Sequence, residues 1–253
     1  MGRLKKIKNI LITGAASGIG KEVSYFLSKK NYRIISIDKD KNKNTKNLIN
    51  FQCDLADLSS LENTIRDILS KYKKIDCIIN NARLNSKKKV LNENINDWCN
   101  QINVNLTSHF FITQEIIKKK TQKDTLIILN ISSIASNLIT KETCSYHVSK
   151  AGLEQMGRFF AYHGVKRKIK VYNLKLGFIA QKRYKKKIFS LKNKIYLNKI
   201  NLYQNSGKVI QVGDLQETIL FLLKNNNSIL TGNTFYLDGG ASLVEPFYLL
   251  NKK

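Results

Sequence analysis

Short apolar runs alternate along this chain with longer stretches in which apolar residues recur every three or four positions. The runs predict strands over 9–13, 32–37, 49–52, 75–80, 125–131, 169–176 and 234–237. The helical period predicts helices over 20–29, 59–72, 96–120, 145–162 and 214–223. Strands that read as continuous apolar runs are buried on both faces, and their alternation with helices predicts an α/β fold built on a doubly wound parallel sheet. No proline- or glycine-rich linker, repeat or shift in composition divides residues 1–253, so one domain is expected. The stretch 181–207, basic and rich in aromatics, falls outside this rhythm and is expected to be a lid over the substrate.

Composition changes this picture little. The 253 residues suffice for a substantial core. A net charge of +26, from 44 Lys+Arg against 18 Asp+Glu, would ordinarily suggest nucleic acid. The lysines are spread along the whole chain, however, beside abundant asparagine and isoleucine and a single proline. That is the mark of A- and T-rich codons, and no nucleic-acid partner is expected. The denser Lys182-Arg183-Tyr184-Lys185-Lys186-Lys187 reads either as a solvated helix face or as a field drawing in an anionic substrate. Cys53, Cys77, Cys99 and Cys144 lack metal-ligand or CxxC spacing and fit buried thiols in a reducing cytosol, so a cytoplasmic location is expected. No apolar run reaches membrane-spanning length. The start, Met1 to Ala16, is only superficially like a signal peptide, because its apolar part is too short and runs into a glycine motif.

In that motif, Gly14, Gly18 and Gly20 stand between the first strand and the first helix, with Ser17 and Ile19 among them. Glycines there permit a tight turn and let backbone N–H groups approach a pyrophosphate at a helix N-terminus. Asp38 ends the second strand 18 residues after Gly20, the spacing of an acid that binds the adenosine ribose. Such a carboxylate accepts from both ribose hydroxyls and repels a 2′-phosphate, so NAD is expected over NADP. Lys39 weakens that preference and the uncharged Ser17 supports it.

Tyr146 and Lys150 stand four residues apart, on one helix face. A lysine there favours the phenolate, so a tyrosine with a free pKa of about 10 can exchange protons near neutrality. Taken alone the match is cheap, because Tyr25/Lys29, Tyr162/Lys166 and Tyr248/Lys252 share it. Even the serine 13 residues upstream recurs, as Ser133 before Tyr146 and Ser149 before Tyr162. Context separates them. Ser133 ends the apolar run from Leu126, and ligands of open parallel sheets bind at strand C-termini; Ser149 lies in a helical stretch.

With Thr13-Gly14-x-x-x-Gly18-x-Gly20, Asn80-Asn81-Ala82, Asn105, Ser133, Tyr146 and Lys150 in order, the chain resembles the short-chain dehydrogenase/reductase family, through to Leu237-Asp238-Gly239-Gly240. The resemblance implies a Rossmann-type fold and an NAD(P)-linked oxidoreductase. It makes Tyr146 the general acid/base, gives Lys150 the nicotinamide ribose, and lets Ser133 steady the substrate oxygen. Asn105 would hold a water linking Lys150 to solvent. Asp54 in Cys53-Asp54-Leu55 would contact the adenine, Asn81 and Ala82 would line the nucleotide, and the backbone of Ile179 would meet the carboxamide. It also implies a homotetramer or homodimer, with helices around 96–120 and 145–162 at one shared interface.

Three positions depart from the family pattern. Arg83 replaces the glycine after Asn80-Asn81-Ala82, and must either point to solvent or enter the substrate pocket as a fixed cation for an anion. Leu176-Gly177 stands for Pro-Gly, with Gln181 in place of a threonine shortly after. Ser136 replaces a glycine three residues beyond Ser133. No catalytic group is lost. The expected function is interconversion of a secondary alcohol and a ketone on a small or medium-sized anionic metabolite, with NAD. Two alternatives stay open: an NADPH-dependent 3-oxoacyl-carrier-protein reductase, for which basic surface near the site, including Arg167, would meet an acidic carrier; and a cofactor-sensing binding protein without turnover.

Overall fold

A computed structural model describes residues 9–41, 44–86, 88, 90–181 and 209–243. The expected lid therefore lies outside the described residues, apart from Gln181.

Among these residues seven parallel strands form one sheet in the order β3-β2-β1-β4-β5-β6-β7. They are β1 (Asn9–Thr13), β2 (Arg33–Asp38), β3 (Leu48–Gln52), β4 (Cys77–Asn80), β5 (Leu126–Ser133), β6 (Ile169–Leu176) and β7 (Thr234–Leu237). The helices are α1 (Gly18–Lys29), α2 (Leu58–Lys71), α3 (Ile95–Ile102), α4 (Ser108–Lys119), α5 (Cys144–Gly164) and α6 (Val212–Lys224). This is the doubly wound parallel sheet that the alternation predicted, in the Rossmann-type fold that the resemblance implied. Side chains on successive strand residues go to opposite faces. Ile10 and Ile12 join a core with Val23 and Leu27 of α1 and Leu215 and Ile219 of α6. Leu11, between them, joins the other core, with residues of α2, α4 and α5.

Across the sheet runs a row of side-chain amides. Asn80 Nδ2 donates to Asn130 Oδ1 (2.8 Å), and Asn130 Nδ2 donates to Asn173 Oδ1 (2.9 Å). The three residues are in register on β4, β5 and β6 and essentially buried. A one-residue slip would unpair buried amides, so the row pins the strands. Gly157 of α5 lies over it: a Cβ there would sit 2.3 Å from Asn173 Oδ1. The amide row thus sets how closely α5, which carries Tyr146 and Lys150, approaches β5.

Two expectations need correction. The helical pattern over 96–120 is not one helix, because a π-helical turn at Asn103–Thr107 separates α3 from α4. Such a turn widens the helix by one residue and swings a side chain to a new azimuth, here carrying Asn105 inward, where it is fully buried. The four cysteines are not all buried. Cys53 and Cys77 are, but Cys99 and Cys144 are exposed, on α3 and in the first turn of α5.

Candidate active site

Strand order reverses between β1 and β4, and the carboxyl ends of the strands at that point open into a cleft of about 970 Å³. Its walls bring together Gly14, Ser17, Gly18, Ile19, Gly20, Asp38, Asp54 and Leu55. They also include Asn81, Ala82, Arg83, Ser133, Tyr146, Lys150, Ile179 and Gln181. Every residue expected at the site lies in this wall except Asn105, which stands behind it.

The glycine turn is built by close contact. Gly14 has φ +73°, and a Cβ on Gly20 would fall 2.0 Å from the Gly14 carbonyl oxygen. Asn81 Nδ2 holds the turn by donating to Thr13 O (2.8 Å) and Gly14 O (3.1 Å). Ser17, the N-cap of α1, makes no side-chain bond to the first-turn N–H groups, which stay available to an anion. Asp38 is buried, and its two oxygens accept from Ala16 N–H (2.8 Å) and Asp40 N–H (3.0 Å). That fixes the carboxylate while leaving lone pairs for hydroxyls. Gln181 is nine-tenths buried, and its Oε1 has no hydrogen-bond partner. An unpaired buried amide oxygen on the cleft wall fits a ligand N–H. Glycine turn, open helix start, fixed acid and orphan acceptor together suit a nicotinamide dinucleotide.

At the Ser133 end of the cleft, Tyr146 and Lys150 are buried on α5, with the ammonium 5.8 Å from the tyrosine ring centroid. Lys150 Nζ donates to Ile131 O (2.8 Å). Burial, and then the Arg83 charge, push the Lys150 pKa down to about 7, while Glu154 opposes them. Arg83 is exposed, yet it lines the cleft and its field reaches Lys150. Ser133 Oγ caps the following turn by accepting from Ala135 N–H (3.2 Å). The rival pairs separate as context predicted: Tyr25 is 62% and Tyr162 80% exposed, and Tyr248 lies outside the described residues. Ser149 is buried and donates to Tyr146 O (2.8 Å).

Asn105 spends its side chain on the wall. Its Oδ1 accepts from Leu84 N–H (2.6 Å), and its Nδ2 donates to Leu84 O (3.1 Å) and Ser149 Oγ (3.1 Å). The π-helical turn is thereby tied to the chain just after Arg83 and to α5. Thr13 was read in the sequence only as the start of the glycine motif, and His109 was missed. Thr13 Oγ1 accepts from the N–H groups of Asn81 (3.0 Å) and Ala82 (2.9 Å), leaving its own proton for His109 Nε2 at 3.1 Å. His109 Nδ1–H then donates to Asn105 O (3.1 Å). Burial holds the His109 pKa down at about 3, so the ring is neutral and its tautomer set. The one signal for His109 was its place four residues after Asn105.

Arg167 corrects an expectation. It precedes β6, so it lies at the opposite end of the strands from Ser133, and its Nη2 donates to Ile117 O (3.3 Å). The cations that do face the cleft are Lys39, Arg83, Lys141 and Lys150 among the described residues.

The family model described as enoyl-(acyl carrier protein) reductase matches residues 14–242. The chain belongs to the short-chain dehydrogenase/reductase family. Within this family it is 29% identical over 244 residues to the 3-oxoacyl-[acyl-carrier-protein] reductase of Buchnera aphidicola subsp. Schizaphis graminum, covering 94% of this chain and 98% of the relative. The corresponding reductase of Rickettsia prowazekii is 30% identical over 245 residues, with the same coverage. Among solved structures, a 4-hydroxyisoleucine dehydrogenase complexed with NADH matches at TM-score 0.85 and 26% identity, over 94% of this chain and all of the other. As a short-chain dehydrogenase/reductase, the protein is an NAD(P)(H)-dependent oxidoreductase acting on the CH–OH group of a small metabolite. No helix among the described residues is long and apolar enough to cross a membrane.

Proposed function

We propose that this protein interconverts a secondary alcohol and a ketone on a small or medium-sized anionic metabolite, with NAD as the working cofactor. The carrying observation is that Ser133, Tyr146 and Lys150 share one cleft with the glycine turn and Asp38. When bound, the nicotinamide ring accepts or gives the hydride. Ser133 Oγ and the Tyr146 hydroxyl hold the substrate oxygen, Tyr146 takes its proton during oxidation and returns it during reduction, and the Lys150 ammonium steadies the phenolate. Asn105 was expected to hold a water linking Lys150 to solvent; with its side chain spent on Leu84 and Ser149, only its backbone carbonyl, which already accepts from His109, could take that part.

Asp38 supports NAD, since a buried carboxylate held by two N–H groups cannot swing away from a 2′-phosphate. Asp38→Ala is expected to relax the preference for NAD over NADP by at least about tenfold in kcat/KM, one charge contact of roughly 1.4 kcal/mol. An unchanged ratio would remove the ribose reading.

Arg83 supports an anionic substrate. It lines the cleft beside Lys150, and a guanidinium there binds a carboxylate through two parallel N–H donors. A related dehydrogenase, that for 4-hydroxyisoleucine, has been seen with NADH and succinate (25% identity, TM-score 0.82). Arg83→Ala is expected to raise KM for hydroxy acids about 10-fold or more while leaving neutral alcohols nearly unchanged. Equal effects on both would place the side chain in solvent.

A second reading, the 3-oxoacyl-carrier-protein reductase, draws on relatives matched over 98% of their length. Asp38, Ser17 and Arg83 count against it, as does the distance of Arg167 from the cleft. NADPH-dependent reduction of an acetoacetyl thioester decides it, and no turnover eliminates it. The exposed Phe111, Phe159 and Tyr162 on α4 and α5 suit a second copy of the chain, as expected for a homodimer or homotetramer. Light scattering that finds a monomer would overturn that.

A further inference from the structure

Behind the catalytic strand end lies a buried ion pair with no part in the chemistry above. Glu154 stands on α5 one turn beyond Lys150, and Lys175 stands on β6. Their side chains are 7% and 4% exposed, and Glu154 Oε2 lies 3.2 Å from Lys175 Nζ. Glu154 Oε1 accepts from Ser132 Oγ at 2.6 Å. Lys175 Nζ also donates to Asn137 Oδ1 (3.1 Å) and Tyr236 Oη (3.4 Å), and sits 4.7 Å from the Tyr236 ring centroid.

A buried ion pair is a poor source of stability, because desolvation consumes much of its attraction and apolar residues of similar size do as well. Its position suggests another use. Apart from Tyr236 on β7, the contacts end beside Ser133 or Lys150. Ser132 precedes Ser133, Asn137 closes the turn that Ser133 caps, and Glu154 shares a helix face with Lys150. The charged and titratable groups facing Lys150 are Arg83 after β4, His109 from α4, and Tyr146 and Glu154 from α5, with Lys175 of β6 behind Glu154. Glu154 is the one anion in that set. His109 is neutral, and Arg83 and Lys175 add positive charge.

We propose that Glu154 and Lys175 are positioning residues of the active site: the pair fixes the Ser132–Ser133 strand end against α5, and Glu154 is the buried counter-charge of Lys150, partly cancelled by Lys175. The proposal rests on Lys150 working with Tyr146. It makes the charge state of Lys150 depend on both members, in opposite directions. Removing the anion leaves Lys150 among cations and disfavours its ammonium. Removing the Lys175 cation frees the anion to favour it.

The test follows the Lys150 Cε signal by NMR on the full chain with 13C-labelled lysine, assigned by its loss in Lys150→Met. Glu154→Gln is expected to lower the titration midpoint by about 1 pH unit or more, the displacement a charge at ~4–6 Å produces. Lys175→Met is expected to raise it. The double variant should titrate below wild type and above Glu154→Gln. Coincident midpoints, or movement in the same direction in both single variants, would overturn the proposal. The double variant leaves neither member of the Glu154–Lys175 pair without its partner, so it decides alone if a single variant does not fold; a midpoint at or above wild type then overturns the proposal. The readout is not turnover, so failure of every alcohol as a substrate would count against the oxidoreductase reading and not against this one.

Discussion

Tyr146→Phe is expected to lower kcat by about 10²- to 10⁴-fold, the range that a positioned general acid or base contributes. The change deletes one oxygen. The ring is 5% exposed and keeps its packing, and Lys150 keeps its bond to Ile131 O. The glycine turn, Asp38 and Gln181 lie elsewhere along the cleft, so NADH should bind with nearly the wild-type Kd in a fluorescence titration. A loss in kcat with cofactor affinity intact is what removing a group that acts on the reacting oxygen produces. Turnover equal to wild type would end the assignment of Tyr146. A parallel collapse of NADH binding would mean that the phenol holds the cofactor rather than moving a proton. A sensing protein without turnover predicts neither effect, because it has no kcat to lose.

How much of this was legible in the sequence follows from the range of each interaction. The strands were readable because burial on both faces leaves continuous apolar runs, and the glycine turn because only residues without Cβ fit where Gly20 meets Gly14 O at 2.0 Å from a virtual Cβ. Ser133 could be told from Ser149 because strand end and helix interior leave different local patterns. The π-helical turn at Asn103–Thr107 left no such pattern: one extra residue per turn barely alters apolar spacing, and its cause is a distant pairing of Asn105 with Leu84. His109 and Thr13 are 96 positions apart, and Glu154 and Lys175 lie on different elements, so no window contains either pair. Arg167 was misplaced for a related reason. Closeness in sequence to α5 says nothing about which end of an eight-residue strand a residue occupies.

The second large effect is on stability, and it has the opposite sign to the effect on activity. Lys150→Met is expected to abolish turnover and to stabilise the cofactor-free protein below pH 7. Lys150 is 1% exposed, and its pKa falls from 10.5 to about 7 on folding. Between those values the unfolded chain holds a proton that the folded chain does not, so stability falls as pH drops through that window and is level below it. The ammonium therefore costs the folded state the most below pH 7, up to about 5 kcal/mol at 1.36 kcal/mol per unit. Methionine has similar length and no charge, but it leaves Ile131 O without the 2.8 Å bond, which returns about 1–3 kcal/mol of the gain. A net gain of roughly 2–4 kcal/mol corresponds to a rise in Tm of about 4–16 °C at pH 6. The same comparison at pH 10 should show the advantage gone, because by then the wild-type lysine is neutral when folded. The unfolded chain, within about half a unit of its own pKa of 10.5, holds its proton too weakly to leave more than about 1 kcal/mol of the penalty. A variant less stable than wild type at pH 6, or equally more stable at both pH values, would show that the ammonium is not held against its own solvation. The expected pattern would mean that the site keeps a buried cation at a cost in stability, which is reasonable only if the cation works on the phenol beside it.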